Sequence, residues 1–236
     1  VSIVANGSSE LFNSLAVGVT TFLFNRLILS HVGALGVAAF SVTQYLLTVV
    51  MMFSIGLGNG VQPIISYNHG AGLEKRVLGI LWRTVTVSLV FGLFFFIVMR
   101  TQTSALAGLF IPEHPEAMST TVRVATIVSW SLLFIPMGVI LSVFFTAIEN
   151  AKKSLIIAVC RGFVFTVAGL ATFPALWGEN GIWVTPIFAE GATALVGAVM
   201  LCRWLSGYKS VQGVLNCKYG LNNEFAEVVT FTLAED

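Results

Sequence analysis

Gly56–Gly72 reads GLGNGVQPIISYNHGAG and closes a long apolar run. Glycine lacks a Cβ, so backbones can approach closely, and proline lacks an amide donor; together they break or bend a helix. The segment therefore reads as a helix exit from a bilayer, not as a strand or a phosphate loop. Its marked positions are Gly56, Gly60, Pro63, Ser66, Tyr67, Asn68, Gly70 and Gly72. The run it closes, Val32–Gly60, exceeds the roughly 20 apolar residues that cross a hydrocarbon core of about 30 Å. Five other stretches meet that length: Gly7–Leu29, Val77–Met99, Val122–Ile148, Leu155–Leu176 and Ile182–Leu205. The connectors YNHGAGLEKR, IPEHPEAM, ENAKK and WGENG carry turn chemistry, and a short HVGA link predicts an antiparallel hairpin of the first two helices.

Composition agrees with that reading. The chain has 236 residues, 56% hydrophobic and only 10% charged, too little charge for a soluble domain of this size. The expected class is an all-α membrane protein, with residues 1–205 forming a six-helix transmembrane bundle and 206–236 a cytoplasmic tail. A VVTFTL run in that tail has no second strand to join. The net charge of +1 carries no basic face, which argues against a nucleic-acid partner. Cys160, Cys202 and Cys217 lack metal-ligand or CxxC spacing, so no metal site or disulfide is expected. No cleavable leader is read at the start, since the first apolar stretch lacks a charged flank. Neither a Walker A string nor a nucleophile elbow, HExxH or paired catalytic acids occurs, so no catalytic residue is assigned, and neither an enzyme nor an ATP-driven pump is expected.

Basic residues set the expected orientation. With the first span running outward, one side holds Lys75, Arg76, Arg83, Lys152, Lys153, Arg161, Arg203, Lys209 and Lys218, nine of the twelve, and the other only Arg26, Arg100 and Arg123. Positive charge stays inside, which predicts a multi-pass protein of the plasma (inner) membrane with both termini cytoplasmic.

The glycine-asparagine stretch closely resembles the segment after the second helix of each half of the multidrug and toxic compound extrusion family, G-x-x-x-G-x-x-P-x-I-S-Y-N-x-G-A-G. Gly56, Gly60, Pro63, Ile65, Ser66, Tyr67, Asn68, Gly70, Ala71 and Gly72 stand at matching places. Upstream, NGSSE at 6–10 and Phe24-Asn25 resemble the start and middle of that family's seventh helix. The resemblance covers most of the chain, to about Leu205, and implies one lobe of an ion-driven exporter whose twelve spans form two bundles. It implies efflux of amphipathic cations by H⁺ or Na⁺ antiport, with no other cofactor. It also implies a partner in the missing N-terminal lobe or a second half-unit. Two alternatives are a lipid-linked oligosaccharide flippase of the same superfold, which needs a strongly cationic cavity, and a truncated half-gene product that transports nothing. No Asp or Glu stands between Met118 and Ile148, where some members carry the coupling carboxylate, which favours H⁺ over Na⁺.

The polar groups within the spans are the candidate site. At 100° per residue Glu10, Asn13, Ser14, Thr21 and Asn25 fall within about 60° of one direction. Such a stripe belongs against the bundle interior or a wet cavity. Glu10 is the carboxylate expected to hold the coupling ion, with Asn13 and Asn25 supplying amide oxygens; equally, Glu10 is a helix-start acid opposite the dipole. Gln44 and Tyr45 in the second span offer hydrogen bonds, beside Met51 and Met52. Phe91, Phe94, Phe95 and Phe96 in the third span are expected to face lipid as filler, and Pro136 to bend the fourth. Arg161 in the fifth span and Glu190 in the sixth need partners, at a cost of at least about 2.5 kcal/mol each when unpaired at mid-bilayer. Arg161 is expected to reach either Glu190 or Glu10. Trp183, Pro186, Glu190, Thr193 and Gly197 share one face of the last span, which points Glu190 inward. His31, His69 and His114 fall in connectors and are expected to be solvated.

Overall fold

The computed structural model describes residues 18–110 and 115–219, which are almost wholly helical. They form six rods: α1 (18–31), α2 (Ala34–Gly70), α3 (Glu74–Phe110), an interrupted rod of α4 (Pro115–Val128) and α5 (Ile135–Ala147), a second interrupted rod of α6 (Ala151–Val159) and α7 (Phe165–Trp177), and α8 (Glu179–Tyr219). Every rod from α2 onward is long and apolar enough to cross a membrane. The fold is an all-α membrane bundle. Glu10, Asn13 and His114 lie outside the described residues.

The rods end where the backbone can turn left-handed. α2 runs unbroken through Gly56, Gly58, Gly60 and Pro63 and stops only at Gly70, so the expected exit near Gly60 is corrected. Leu73 N–H bonds Asn68 C=O at 2.9 Å and Gly72 N–H bonds His69 C=O at 2.9 Å, with Gly72 at φ 70°. These two bonds close the helix in a Schellman turn, for which Gly72 alone supplies the required φ. The same pair of bonds recurs after α5, Asn150 to Phe145 and Glu149 to Thr146, but there Glu149 occupies the left-handed position at φ 59°. The Asn150 side chain then accepts from Lys153 N–H and starts α6. α8 passes Leu205, the expected end of the bundle, without a break; no proline stands between Ser206 and Tyr219 to stop it.

α2 packs against α3, α4 and α5, and α7 pairs with α8. One apolar cluster gathers Phe24, Ile28, Phe40, Leu132 and Trp183; a second, toward the Gly72 end, gathers Ile65, Leu81, Leu141, Phe144, Phe145 and Ile157. Among the described residues, buried hydroxyls do not go unpaired: Thr43, Ser54, Thr185 and Thr193 each donate to the carbonyl four residues back, and Ser54 also meets Ser88 of α3 at 2.9 Å. The phenylalanines of α3 depart from expectation. Phe91 stacks on Phe53 with centroids 3.6 Å apart, and Phe96 packs on Trp130. Only Phe94 of the four is mainly exposed, because α3 lies against α2 and α4 instead of standing free.

Candidate functional site

Two mid-rod distortions bring the site together. Between α4 and α5 the chain tightens into a 3₁₀ segment, Ser129–Leu133, and Pro136 begins the next helix. Proline cannot donate to Leu132 C=O, so the α-helical ladder cannot continue through it. Ser131 is held in this segment by donating from Oγ to Val128 C=O at 2.7 Å. Between α6 and α7 the chain widens instead, into a π-helical segment, Cys160–Val164. Thr166 Oγ1 bonds the Arg161 carbonyl at 3.0 Å and satisfies the backbone there. A π turn holds one extra residue, which alters the direction of the side chains beside it.

Arg161 stands on that π turn and meets Glu190 of α8, Nε donating to Oε1 at 2.9 Å. Both side chains are 16% exposed. Of the two expected partners, the structure brings Glu190 to Arg161. Glu190 Oε2 is buried and has no hydrogen-bond partner among the described residues. Trp183 and Thr193, on the same face of α8, are fully buried, and Pro186 and Glu190 border open space.

That space is a cavity of about 460 Å3, lined by Asn25 of α1, Gln44 and Tyr45 of α2, Ser131, Arg161 and Glu190, among others. The volume lies in the range of drug-sized sites, roughly 300–1,000 Å3. The stacked rings of Phe24 and Phe40, centroids 4.9 Å apart, and Met51 form an apolar wall. Of the expected binding residues, Asn25, Gln44 and Tyr45 all open on this cavity. Ser41, Thr48, Ser131 and Thr166 also line it and were not singled out from sequence. Ser41, Gln44 and Thr48 recur at helical spacing, a polar stripe that was there to be read. Ser131 and Thr166 carry no such pattern.

The exit stretch serves a different end of the molecule. Ser66 Oγ donates to Ala147 C=O at the end of α5 at 2.8 Å, and Asn68 Nδ2 donates to Ile64 C=O at 2.8 Å. Gly56, Gly60 and Gly70 face open space, Pro63 is exposed, and Tyr67 is 78% exposed. The tight packing glycine is Gly58, where a Cβ would lie 3.0 Å from Val143. His69 is not simply solvated: its Nδ1 meets Glu74 Oε1 at 2.5 Å, because the Schellman turn brings the start of α3 back beside it.

Comparison with known proteins sets these features in a family. The family model MatE matches residues 11–169. The multidrug export protein MepA of Staphylococcus aureus is 27% identical over 202 residues, covering 84% of this chain and 43% of MepA. Among solved structures, an inward-facing multidrug resistance MATE family transporter superposes with a TM-score of 0.80 at 18% identity, over 86% of this chain and 47% of that one. An outward-facing structure of such a transporter gives 0.78 at 18% identity, over 86% and 46%. A transporter of the MOP superfamily from Pyrococcus furiosus, described as having a binding pocket of reverse polarity, gives 0.76 at 18% identity, over 85% and 45%. The chain thus spans about half the length of the relatives it matches. With a family model covering most of the chain and a six-rod bundle that superposes on solved members, this multi-pass membrane protein belongs to the MatE family, the multidrug and toxic compound extrusion transporters.

Proposed function

We propose that these residues form one lobe of a secondary active exporter of amphipathic cationic compounds, driven by inward flow of H⁺ or Na⁺. The observation that carries the reading is the convergence of Asn25, Gln44 and Tyr45 with the Arg161–Glu190 pair on one drug-sized cavity. Apolar walls hold varied hydrophobic bodies, while a few polar groups orient them. Coupling follows when a carboxylate is emptied of its ion to hold the compound and filled by the ion to release it. Glu10 is our choice for that carboxylate, on the same sequence stripe as Thr21 and Asn25. The protein resides in the plasma membrane with both termini inside, and it performs transport, not catalysis.

A partner lobe completes the cavity. Tyr45, Val49, Met52, Tyr67 and the open Gly56, Gly60 and Gly70 lie exposed along α2, from the cavity to the helix end, which favours a second bundle or half-unit against that face. The test uses the natural full-length protein in vesicles, with an imposed pH or Na⁺ gradient driving uptake of a fluorescent cation. The expected result is uptake that depends on the gradient and drops in Glu10→Gln. Uptake that ignores both gradients removes antiport, and an unchanged Glu10→Gln variant removes Glu10 from the mechanism.

A further inference from the structure

We propose that the open face of α3 next to the α2–α3 turn holds an anionic phospholipid, its phosphate between Arg76 and Arg83 and an acyl chain along Val87, Val90, Phe94 and Ile97. At 100° per residue these six side chains and Gly79 fall within about 80° of one direction. All six side chains are exposed. Neither guanidinium bonds another of the described residues. The single acidic residue of α3, Glu74, has one carboxylate oxygen against His69 and the other buried. The face therefore carries two positive charges that nothing on the rod offsets. Between them lies a notch at Gly79, where a Cβ would meet no atom within 4 Å. No residue of α3 lines the cavity, and the face favoured for a partner lobe belongs to α2, so this side of the bundle is left to lipid.

Depth along the rod fits a lipid from headgroup to chain end. The 37 residues of α3 span about 55 Å, so a rod centred on a hydrocarbon core of about 30 Å leaves about 13 Å at either end. Arg83, nine residues past Glu74, stands about 13 Å along the axis, at the boundary where the headgroups begin. Arg76 lies about 10 Å further out, and two long side chains span that interval to converge on one phosphate. Trp82, exposed beside Arg83, marks the same level, since indole rings collect at the membrane interface. Val87 to Ile97 covers about 15 Å, the depth of hydrocarbon in one leaflet. A guanidinium at that boundary stays charged, and facing lipid it is costly unless an anion meets it; a phosphate accepts two of its N–H bonds at once. A zwitterionic headgroup returns an amine to the same cluster, beside Lys75, so a headgroup of net negative charge fits better. In the orientation proposed above, the leaflet is the inner one.

Native mass spectrometry of the natural full-length protein in detergent, titrated in parallel with phosphatidylglycerol and with phosphatidylcholine of the same chains, tests the site. The readout is the ratio of the two affinities, so a general loss of folding does not imitate the effect. The unaltered protein is expected to prefer phosphatidylglycerol roughly tenfold or more, and an equal concentration of inorganic phosphate should not displace it. Arg76→Gln with Arg83→Gln brings the two affinities to within about twofold of each other. Lys152→Gln with Arg203→Gln removes two exposed charges from the same end of the bundle, and there the ratio stays within about twofold of the unaltered value. A ratio unmoved by the arginine pair overturns the inference by placing the lipid elsewhere. An equal fall in the control pair also overturns it, by reducing the preference to general attraction. Displacement by inorganic phosphate overturns the lipid assignment. Absence of any preference in the unaltered protein overturns it too, and leaves the missing lobe as the cover of this face. None of these outcomes decides the exporter reading, which vesicle uptake tests separately.

Discussion

The α4–α5 and α6–α7 rods are both interrupted inside the membrane, by opposite distortions and in opposite surroundings. The first tightens into 3₁₀ geometry, lies mostly buried among its neighbours and carries no acidic side chain between Met118 and Ile148. The second widens into a π turn, lies largely exposed along its length and bears Arg161 at the distortion. Irregular backbone at membrane depth persists only where protein covers it or a wet cavity receives it. The buried rod uses the first solution and the exposed rod the second, and the two breaks meet on one cavity through Ser131 and Arg161.

Removing the charge at the π turn should have the largest effect. Arg161→Ala strands Glu190 in a site 16% exposed, and unfolding in detergent should report a loss of about 3 kcal/mol, the low end for a broken buried pair because the cavity wets one side. At the other break the vulnerable residue is an uncharged neighbour. A Cβ on Gly92 of α3 would lie 2.7 Å from Leu132 O and 2.9 Å from Pro136 Cγ, so Gly92→Ala should cost roughly 1–3 kcal/mol by the same measurement. Gly162, on the π turn, faces open space, and Gly162→Ala should be neutral or stabilise by up to about 1 kcal/mol. Equal losses in the two glycine variants would erase the contrast between a crowded break and an open one. Smallest of all, Glu149→Gly should add about 0.5–1 kcal/mol, since glycine accepts the left-handed φ of 59° that glutamate adopts there.

The same contrast separates what the sequence made legible from what it did not. Pro136 advertises the first break, because proline cannot extend the ladder. Nothing in CRGFV announces a π turn, since its register depends on where Arg161 finds its partner in space. The six rods follow from apolar length alone, but their ends do not. Gly72 ends α2 through its φ, whereas Gly56, Gly60 and Pro63, which look like stronger breakers, ride inside the helix. Errors at the ends carry into depth. Counted from Leu155 and Ile182, Arg161 and Glu190 sit about 9 and 12 Å in from opposite edges, leaving a gap in a core of about 30 Å. Counted from the observed starts at Ala151 and Glu179, they lie about 15 and 16 Å in, at one level, where a direct 2.9 Å contact forms.

The central claim is that the polar faces of α1 and α2 meet water in a shared cavity while apolar side chains meet lipid. Thiol labelling of the natural full-length protein in sealed vesicles, with Cys160, Cys202 and Cys217 replaced by serine, tests it directly. Gln44→Cys, on the cavity, should react with a charged, membrane-impermeant methanethiosulfonate and be shielded by a transported dye, whereas Leu195→Cys, 66% exposed on an apolar face of α8, should not react. An unreactive Gln44→Cys beside a reactive Leu195→Cys would contradict the account.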